Sequence, residues 1–573
     1  MAMGTFKRSR NADGSETVEC PYEGYDVFTH PLYNKSSGFP NEERWSLRLN
    51  GLIPDAVSTM KQQLSRVYDS LDRKRDPMEK YIGIAALQDR NEHLFYRFLL
   101  ENIEEYLPIV YTPTVGQACK DFSKVFRRGR GIWITPQHRG KIKEILQHAR
   151  FKHVKLIVAT DNESILGIGD QGCGGMAISI GKLALYCAGA GIHPTDTLPI
   201  SLDVGTNNQE LLDDPMYLGW AKPRLTGDDY LSLIDEFVDA VNEVFPKALI
   251  QWEDFRKSNA FDVLERYRYK ALSFNDDIQG TGAVALAGLI AGCRVKNQNL
   301  IDQRIVIFGA GASGMGIANQ LRAGMRLAGA TEEQVQRNIG MLDSRGLLVE
   351  DRDISEAAKK KLAWPTELAE EFGLSADKRD LQSVVDAYRP TVLIGTSGQT
   401  GAFTESIVRS MAAASQRPII MPFSNPTANA EAIPADIIVW TEGLAMVAAG
   451  SPFEPVEYAG QKHYIGQGNN VFIFPGLGLG SLLAQASEVT ANMISASSYA
   501  LAEQVTEEEL ASGQLYPTVS RLRAVSRHIT EAVIAQAIDD GVAQADIRKE
   551  DITKLVDDAI WNPEYPKLVP AKR

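Results

Sequence analysis

The run Arg304-Ile305-Val306-Ile307-Phe308, followed without a break by Gly309-Ala310-Gly311-Ala312-Ser313-Gly314, limits what this chain can fold into more than any other feature. A short apolar strand that meets G-x-G-x-x-G, with a helix opening near Met315, is the strand-turn-helix unit of a doubly wound parallel sheet. The first glycine makes the tight turn, the second lets a pyrophosphate approach the backbone, and the third lets the helix pack on the strand. The acid expected to meet an adenosine ribose comes late. Asp343 stands 34 residues after Gly309 (343 − 309), yet it ends an apolar strand at 339–342, as the fold requires.

Upstream, two acidic pairs close two further short strands. The run 248–252 stops at Glu253 and Asp254, and a second reaches Ser273 and Phe274 and stops at Asp276 and Asp277. In a parallel sheet the carboxyl ends of such strands lie side by side, where open α/β folds hold their ligands. Convergent carboxylates repel one another and need a cation or a proton to coexist. With no Cys or His nearby, these hard oxygen donors suit Mg²⁺ or Mn²⁺ better than zinc.

A length of 573 residues is too great for one core and predicts three to four domains. The formal charge of −13 argues against a phosphate backbone as partner, since nucleic-acid binding needs a basic face. The five cysteines are odd in number and scattered, with no C-x-x-C spacing, which points to a reducing cytoplasm. Lys7, Arg8 and Arg10 have no apolar stretch behind them, unlike a targeting peptide, and no run is expected to approach a membrane span.

From 41 to about 126 the apolar residues fall at helical spacing, giving an all-α leading region. Its end, 106–116, carries Pro108, Pro113 and Gly116 and is expected to be irregular and extended, with Tyr111 inside it. Strands are then expected at 155–159 and 165–168, the second running into the glycine-rich 169–175 and a helix near Met176 that carries Lys182 among apolar neighbours. A strand at 198–203 and an amphipathic helix at 230–245 lead back to the strand ending at Glu253, a βαβ order. Beyond Asp343, strands at 391–394 and 418–421 end in small polar loops, 395–398 and 423–427, of the kind that border a nicotinamide ribose. The segment from Gly466 reads as a return from the nucleotide region, and the Pro-containing tail at 562–566 as an oligomer or surface arm.

With these residues in view, the chain resembles the malic enzymes along its length. The matching motifs are YTPTVG (111–116), GIGDQG (167–172), IGK (180–182), DVGT (203–206), EDF (253–255), FNDDIQG (274–280), SNPT (424–427) and GQGNN (466–470). The resemblance implies an α/β protein with a helical N-terminal domain over 1–129 and a parallel-sheet substrate and metal domain over 130–276, completed by 466–537. A doubly wound Rossmann-type NAD domain would follow over 277–465, and a helical C-terminal segment would end in an arm over 538–573.

The activity implied is oxidation of (S)-malate on a nicotinamide cofactor followed by metal-assisted loss of carbon dioxide to give pyruvate. By resemblance Glu253, Asp254 and Asp277 ligate Mn²⁺ or Mg²⁺, Lys182 is the general base, Tyr111 the general acid, and Asp276 tunes the lysine. A lysine with an ordinary pKa of about 10.4 serves as base only if burial and a nearby cation lower it. Gly309, Gly311, Ala312, Ser313, Gly314, Asp343 and Asn425 would hold the cofactor, and Asn425 with Asn469 the malate. Asp343 favours NAD, whereas Ser344, Arg345 and the run Lys359-Lys360-Lys361 are the residues that could receive the 2′-phosphate of NADP. Arg66 and Arg90 fall where some members bind an activating dicarboxylate, and a homodimer or homotetramer is expected, with neither nucleic acid nor membrane as partner.

One position departs from the pattern. Malic enzymes usually carry an arginine that grips the substrate carboxylate just before ILGIGD (165–170), and this chain has Ser164 there. Losing a bidentate clamp weakens substrate orientation. Malolactic enzymes, which make lactate from malate on tightly held NAD, also lack that arginine, and Ile178-Ser179 before IGK is closer to their pattern. A non-catalytic nucleotide-binding paralogue is the reading from another class, opposed by the retention of Tyr111, Lys182 and all three metal acids.

Overall fold

The structure, a computed structural model, describes residues 6–11, 14–425 and 427–571. The chain divides into two compact units, Met1–Ile250 with Asp557–Arg573, and Gln251–Val556.

The first unit opens with the expected helices, and their starts are written in local chemistry. Thr59 and Gln62 form a reciprocal capping box for the helix Met60–Asp72, Asp76 caps Pro77–Arg90 with proline in the first turn, and Asn91 caps Glu92–Glu101. The stretch expected to be extended is instead helical at both ends. Ile103–Val110 runs through Pro108, and Thr114–Lys120 contains Gly116, so only 111–113 is irregular. Burial of Ile103, Tyr106, Leu107 and Val110 outweighs the hydrogen bond that Pro108 removes.

Three parallel strands follow in the spatial order Ile132–Ile134, Thr197–Leu202, Leu156–Thr160, in register at Ile132↔Ile200 and Leu156↔Thr197. The strand expected at 165–168 does not form. Leu166 (φ 44°), Gly167 (φ 71°) and Gly169 (φ 89°) are left-handed and fold the segment into a tight loop closed by the single bridge Ile165↔Gly169. A three-stranded sheet that periodicity did not announce joins Arg8–Arg10, Glu16–Cys20 and Lys567–Pro570, the last parallel to Glu16–Cys20. The tail read as an oligomer or surface arm docks on its own unit, with Trp561 and Leu568 buried.

In the second unit, a seven-stranded sheet runs Gly346–Leu347, Ile339–Asp343, Ile305–Phe308, Val392–Gly395, Ile419–Pro422, Met446–Ala449, Gly466–Gln467. All its pairings are parallel except the first, an antiparallel edge. The central strands are wholly buried, and a cluster around Trp364, Tyr388 and Met411 packs against them. Gly466, expected to open the return from the nucleotide region, is the seventh strand of this sheet.

Against the expectation that no run approaches a span, Gly172–Ala190 and Asp276–Lys296 are long and apolar enough to cross a bilayer. Burial of 94% and 72% of their apolar windows makes them interior helices, where an all-round apolar surface is equally required.

Candidate functional site

The strands Leu249–Trp252 and Ser273–Asn275 are neighbours in one sheet, joined by the helix Lys257–Tyr267, and each ends at one of the acidic pairs. Glu253, Asp254 and Asp277 each bring a carboxylate oxygen to within 4.8 Å of the others. Two local features hold them there. Gln251 Nε2 donates to Glu253 Oε2 at 2.7 Å. Asp254 takes the left-handed conformation (φ 56°), and its backbone N–H donates to Asp277 Oδ2 at 2.7 Å. A left-handed aspartate costs on the order of 1 kcal/mol, and such strain concentrates at functional loops. An all-carboxylate set, largely buried, fits Mg²⁺ or Mn²⁺ and fits neither zinc nor copper.

Asp276 is fully buried one residue before the third acid, in a wide helical turn spanning Asp276–Gly280. Asn275 Oδ1 accepts from Ile278 N–H to start that turn, and Asn470 Nδ2 donates to both Asp276 Oδ2 (3.1 Å) and its carbonyl (3.2 Å). The resemblance named Asn469 for substrate. In the structure Asn469 Oδ1 caps its own turn through Val471 N–H, while Asn470 is the one that reaches the acid.

The fingerprint glycines behave as three different devices. A Cβ on Gly309 (φ 120°) would stand 2.5 Å from the Thr396 carbonyl carbon, so this turn is pressed against the next strand's loop. A Cβ on Gly314 would meet the Gly309 carbonyl oxygen at 1.9 Å, which closes helix on turn. Space beside Gly311 is open, as a pyrophosphate seat requires, and Ala312 and Ser313 begin the helix Ala312–Leu327 whose N–H groups face an anion there. That helix also crosses the acid-bearing turn. A Cβ on Gly316 would stand 2.3 Å from the Ile278 carbonyl oxygen, so dinucleotide helix and metal acids share one packed block. Lys257, absent from the sequence expectations, donates from Nζ to the Ala310 carbonyl at 3.0 Å and to Glu356 at 2.6 Å, placing a cation against the fingerprint loop.

Asp343 ends its strand as expected. Burial pushes its carboxyl up, but the Arg352 hydrogen bond (2.8 Å), the Arg345 N–H (2.9 Å) and the charges of Arg352 and Lys359 together hold it below the ordinary carboxylate value. Arg352 is thus committed to the acid, while Lys359 lies closer to Glu356 (2.8 Å) than to Asp343 (3.8 Å). On the opposite flank of the central strand, Ser451 Oγ donates to Asn425 Oδ1 at 2.5 Å.

Within the first unit, Tyr111 and Lys182 are both buried, with Lys182 Nζ 5.1 Å from the centre of the Tyr111 ring. Gly181 makes this approach possible, since a Cβ there would meet the Val110 carbonyl oxygen at 2.7 Å. Ser164 lies half-buried in the loop that follows Leu156–Thr160. Buried Arg224, missed in the sequence, faces that loop but is shared among Asp161 (3.3 Å), Glu163 (3.5 Å) and Asp170 (3.4 Å). Arg66 donates to the Ser37 and Ser58 hydroxyls, and Arg90 is exposed at the end of Pro77–Arg90.

Comparison with known proteins agrees with the motif reading. Residues 88–268 match the family model "Malic enzyme, N-terminal domain", and residues 278–538 match "Malic enzyme, NAD binding domain". The chain is 46% identical over 545 residues to a protein of Acinetobacter baylyi named NAD-dependent malic enzyme, covering 95% of this chain and 96% of that one. A protein of the same name from Sodalis glossinidius is 45% identical over the same shares. Among solved structures, the malic enzyme of Entamoeba histolytica superposes with a TM-score of 0.57 at 22% identity, over 90% of this chain and 91% of that one. That of Pyrococcus horikoshii does so at 0.53 and 24%, over 80% and 89%.

Proposed function

Because the chain belongs to the malic enzyme family, we propose that it oxidises (S)-malate on NAD and releases carbon dioxide and pyruvate, with Mg²⁺ or Mn²⁺ held by Glu253, Asp254 and Asp277. The observation that carries this reading is the convergence of those three carboxylates at adjacent strand ends, in the same unit as the dinucleotide fingerprint. When bound, the cation supplies Lewis acidity toward the substrate oxygen and NAD supplies the hydride acceptor.

The chain's own groups do the rest. Lys182 Nζ takes the proton of the C2 hydroxyl, and the Tyr111 hydroxyl returns a proton to C3 after carbon dioxide has left; their mutual contact supports a coupled pair. Asp276 serves as the acid that tunes the lysine, held in one orientation by Asn470. Gly309, Gly311, Ala312, Ser313 and Gly314 seat the pyrophosphate, Asp343 accepts from the adenosine ribose, and Asn425 with Asn469 orients malate and amide. NAD is preferred over NADP because Asp343 already occupies Arg352, Lys359 is drawn to Glu356, and the Asp343 carboxylate would repel a 2′-phosphate. Substrate and metal domain over 130–276 with 466–537, and NAD domain over 277–465, remain the functional division we assign. A homodimer or homotetramer and a cytoplasmic home complete the reading, the latter supported by five buried cysteine thiols. Arg66 and Arg90 are assigned to a dicarboxylate effector.

Ser164 favours a second outcome, lactate without net reduction. One experiment decides: purified protein with (S)-malate and Mn²⁺, with NAD or NADP in parallel, following nicotinamide absorbance and the acid formed. Pyruvate with stoichiometric NADH supports the proposal. Lactate without NADH replaces it with malolactic chemistry, and turnover on NADP alone overturns the cofactor assignment.

A further inference from the structure

Glu431 lies between the strand Ile419–Pro422 and the helix Pro434–Trp440, and its side chain is fully buried. Its Oε1 accepts from Ser397 N–H (2.7 Å), Ser397 Oγ (2.9 Å) and Ser424 Oγ (2.6 Å), and its Oε2 from Ser424 N–H (3.4 Å). Ser424 Oγ in turn accepts from Gly398 N–H at 2.8 Å. Gly395 leaves the room this needs, because a Cβ there would stand 2.5 Å from the Glu431 carboxyl carbon. A single buried carboxylate therefore ties together the loops that follow two adjacent parallel strands, Val392–Gly395 and Ile419–Pro422.

Both loops continue into the cofactor machinery. Thr396 Oγ1 donates to the Gly309 carbonyl at 2.9 Å, joining the first loop to the fingerprint turn. Ser424 is followed at once by Asn425. In the sheet these two strands lie on the far side of Ile305–Phe308 from Ile339–Asp343. A dinucleotide whose adenosine ribose meets Asp343 and whose pyrophosphate sits on Gly311 must extend its other half over loops 395–398 and 423–425.

We propose that Glu431 is the positioning residue of the nicotinamide half of the site, fixing both loops so that the nicotinamide ring and the Asn425 amide meet substrate in one geometry. Burying a carboxylate is unfavourable unless charge-assisted hydrogen bonds satisfy it, and among the described residues every hydrogen bond to this carboxylate comes from these two loops. A general structural anchor needs no such concentration of donors. The proposal rests on the NAD reading above.

The test compares NADH with ADP-ribose, which carries the adenosine and pyrophosphate but no nicotinamide, on the full chain and its variants Glu431→Gln, Glu431→Ala and Ser424→Ala. Loss of one charge-assisted bond corresponds to about tenfold. Glu431→Gln, which keeps the shape, is expected to weaken NADH binding about tenfold while ADP-ribose binding moves less than about twofold. KM for NAD should rise in parallel, KM for malate at saturating NAD should rise as well because Asn425 moves with its loop, and the melting temperature should stay within a few degrees. Glu431→Ala should enlarge the NADH effect, and if it does not fold, Ser424→Ala carries the same comparison. Equal weakening of NADH and ADP-ribose, or no weakening of either, overturns the proposal. Failure of the wild-type chain to make pyruvate would sink the malate reading alone, since the two binding constants do not depend on turnover.

Discussion

At the scale of single residues, Gln251 shows how a site is aimed by a group that never touches the ligand. Its amide fixes the Glu253 carboxylate, as outer partners of metal ligands commonly do. Gln251→Leu, similar in volume, should raise the Mn²⁺ concentration needed for half-maximal activity by about 10- to 100-fold with the maximal rate far less affected; an unchanged Mn²⁺ requirement would refute that role. Asp343 is the second case. Its carboxylate is held ionised chiefly by Arg352, so Asp343→Ser frees that cation in the place a 2′-phosphate would occupy. The expected result is a loss of about 10- to 100-fold in kcat/KM with NAD and a gain with NADP; selectivity unmoved by the substitution would remove Asp343 from the specificity assignment. Asp343 and the two acidic pairs were legible in the sequence because each follows a short apolar strand, where chain order fixes position, whereas the choice of Asp277 over Asp276 as a ligand came from the family resemblance. Glu431, Asn470 and Arg224 were not, because each has a partner 34 to 194 residues away and no local pattern marks the pairing.

Among elements, the legible ones were those whose apolar residues keep one periodicity along their length. The strands around Gly309 and the helices after Gly280 and Gly311 appear within a few residues of their expected bounds. The segment at 165–168 reads as a strand by its isoleucines, but the left-handed backbone at Leu166, Gly167 and Gly169 decides otherwise. The contact of the dinucleotide helix with the acid-bearing turn is an element-scale constraint with a direct test. Gly316→Ala would drive a methyl into the Ile278 carbonyl oxygen, so turn and helix must part. Both NADH affinity and Mn²⁺ affinity should fall, together, by about tenfold or more, since overpacking costs about 1–3 kcal/mol; loss of only one would show that the two elements adjust separately.

For the molecule as a whole, the last residues complete the unit that holds the first ones. Lys567–Pro570 pairs with Glu16–Cys20 at Leu568↔Val18, and Lys35, in a buried ion pair with Glu43, also donates to the Pro566 carbonyl. Trp561 and Tyr565 meet the ring of His93 at 5.7 and 5.9 Å, and among the described residues neither His93 nitrogen has a hydrogen-bond partner. Burial therefore pushes the His93 pKa down, from 6.5 to about 4, the charge of Lys35 adding to this and that of Glu92 opposing it. The folded state then binds fewer protons than the unfolded one, so the penalty is absent above pH 6.5, begins as pH falls through 6.5 and is complete near pH 4. It amounts to roughly 3 kcal/mol. His93→Phe, which keeps the aromatic contacts, should flatten the melting temperature across that window; an acid limb as steep as wild type would place the titration elsewhere. Deleting 557–573 tests the same closure from the other side. The burial of Trp561 and Leu568 contributes about 1.5–3 kcal/mol each, and the Lys35–Glu43 pair loses its cover. The truncated chain should lose about 5 kcal/mol or more from the first unit, seen as early proteolysis within residues 6–250. NADH binding, carried by residues 251–556, should survive within about twofold; if it vanished together with the first unit's resistance to protease, the two units would have to fold as one.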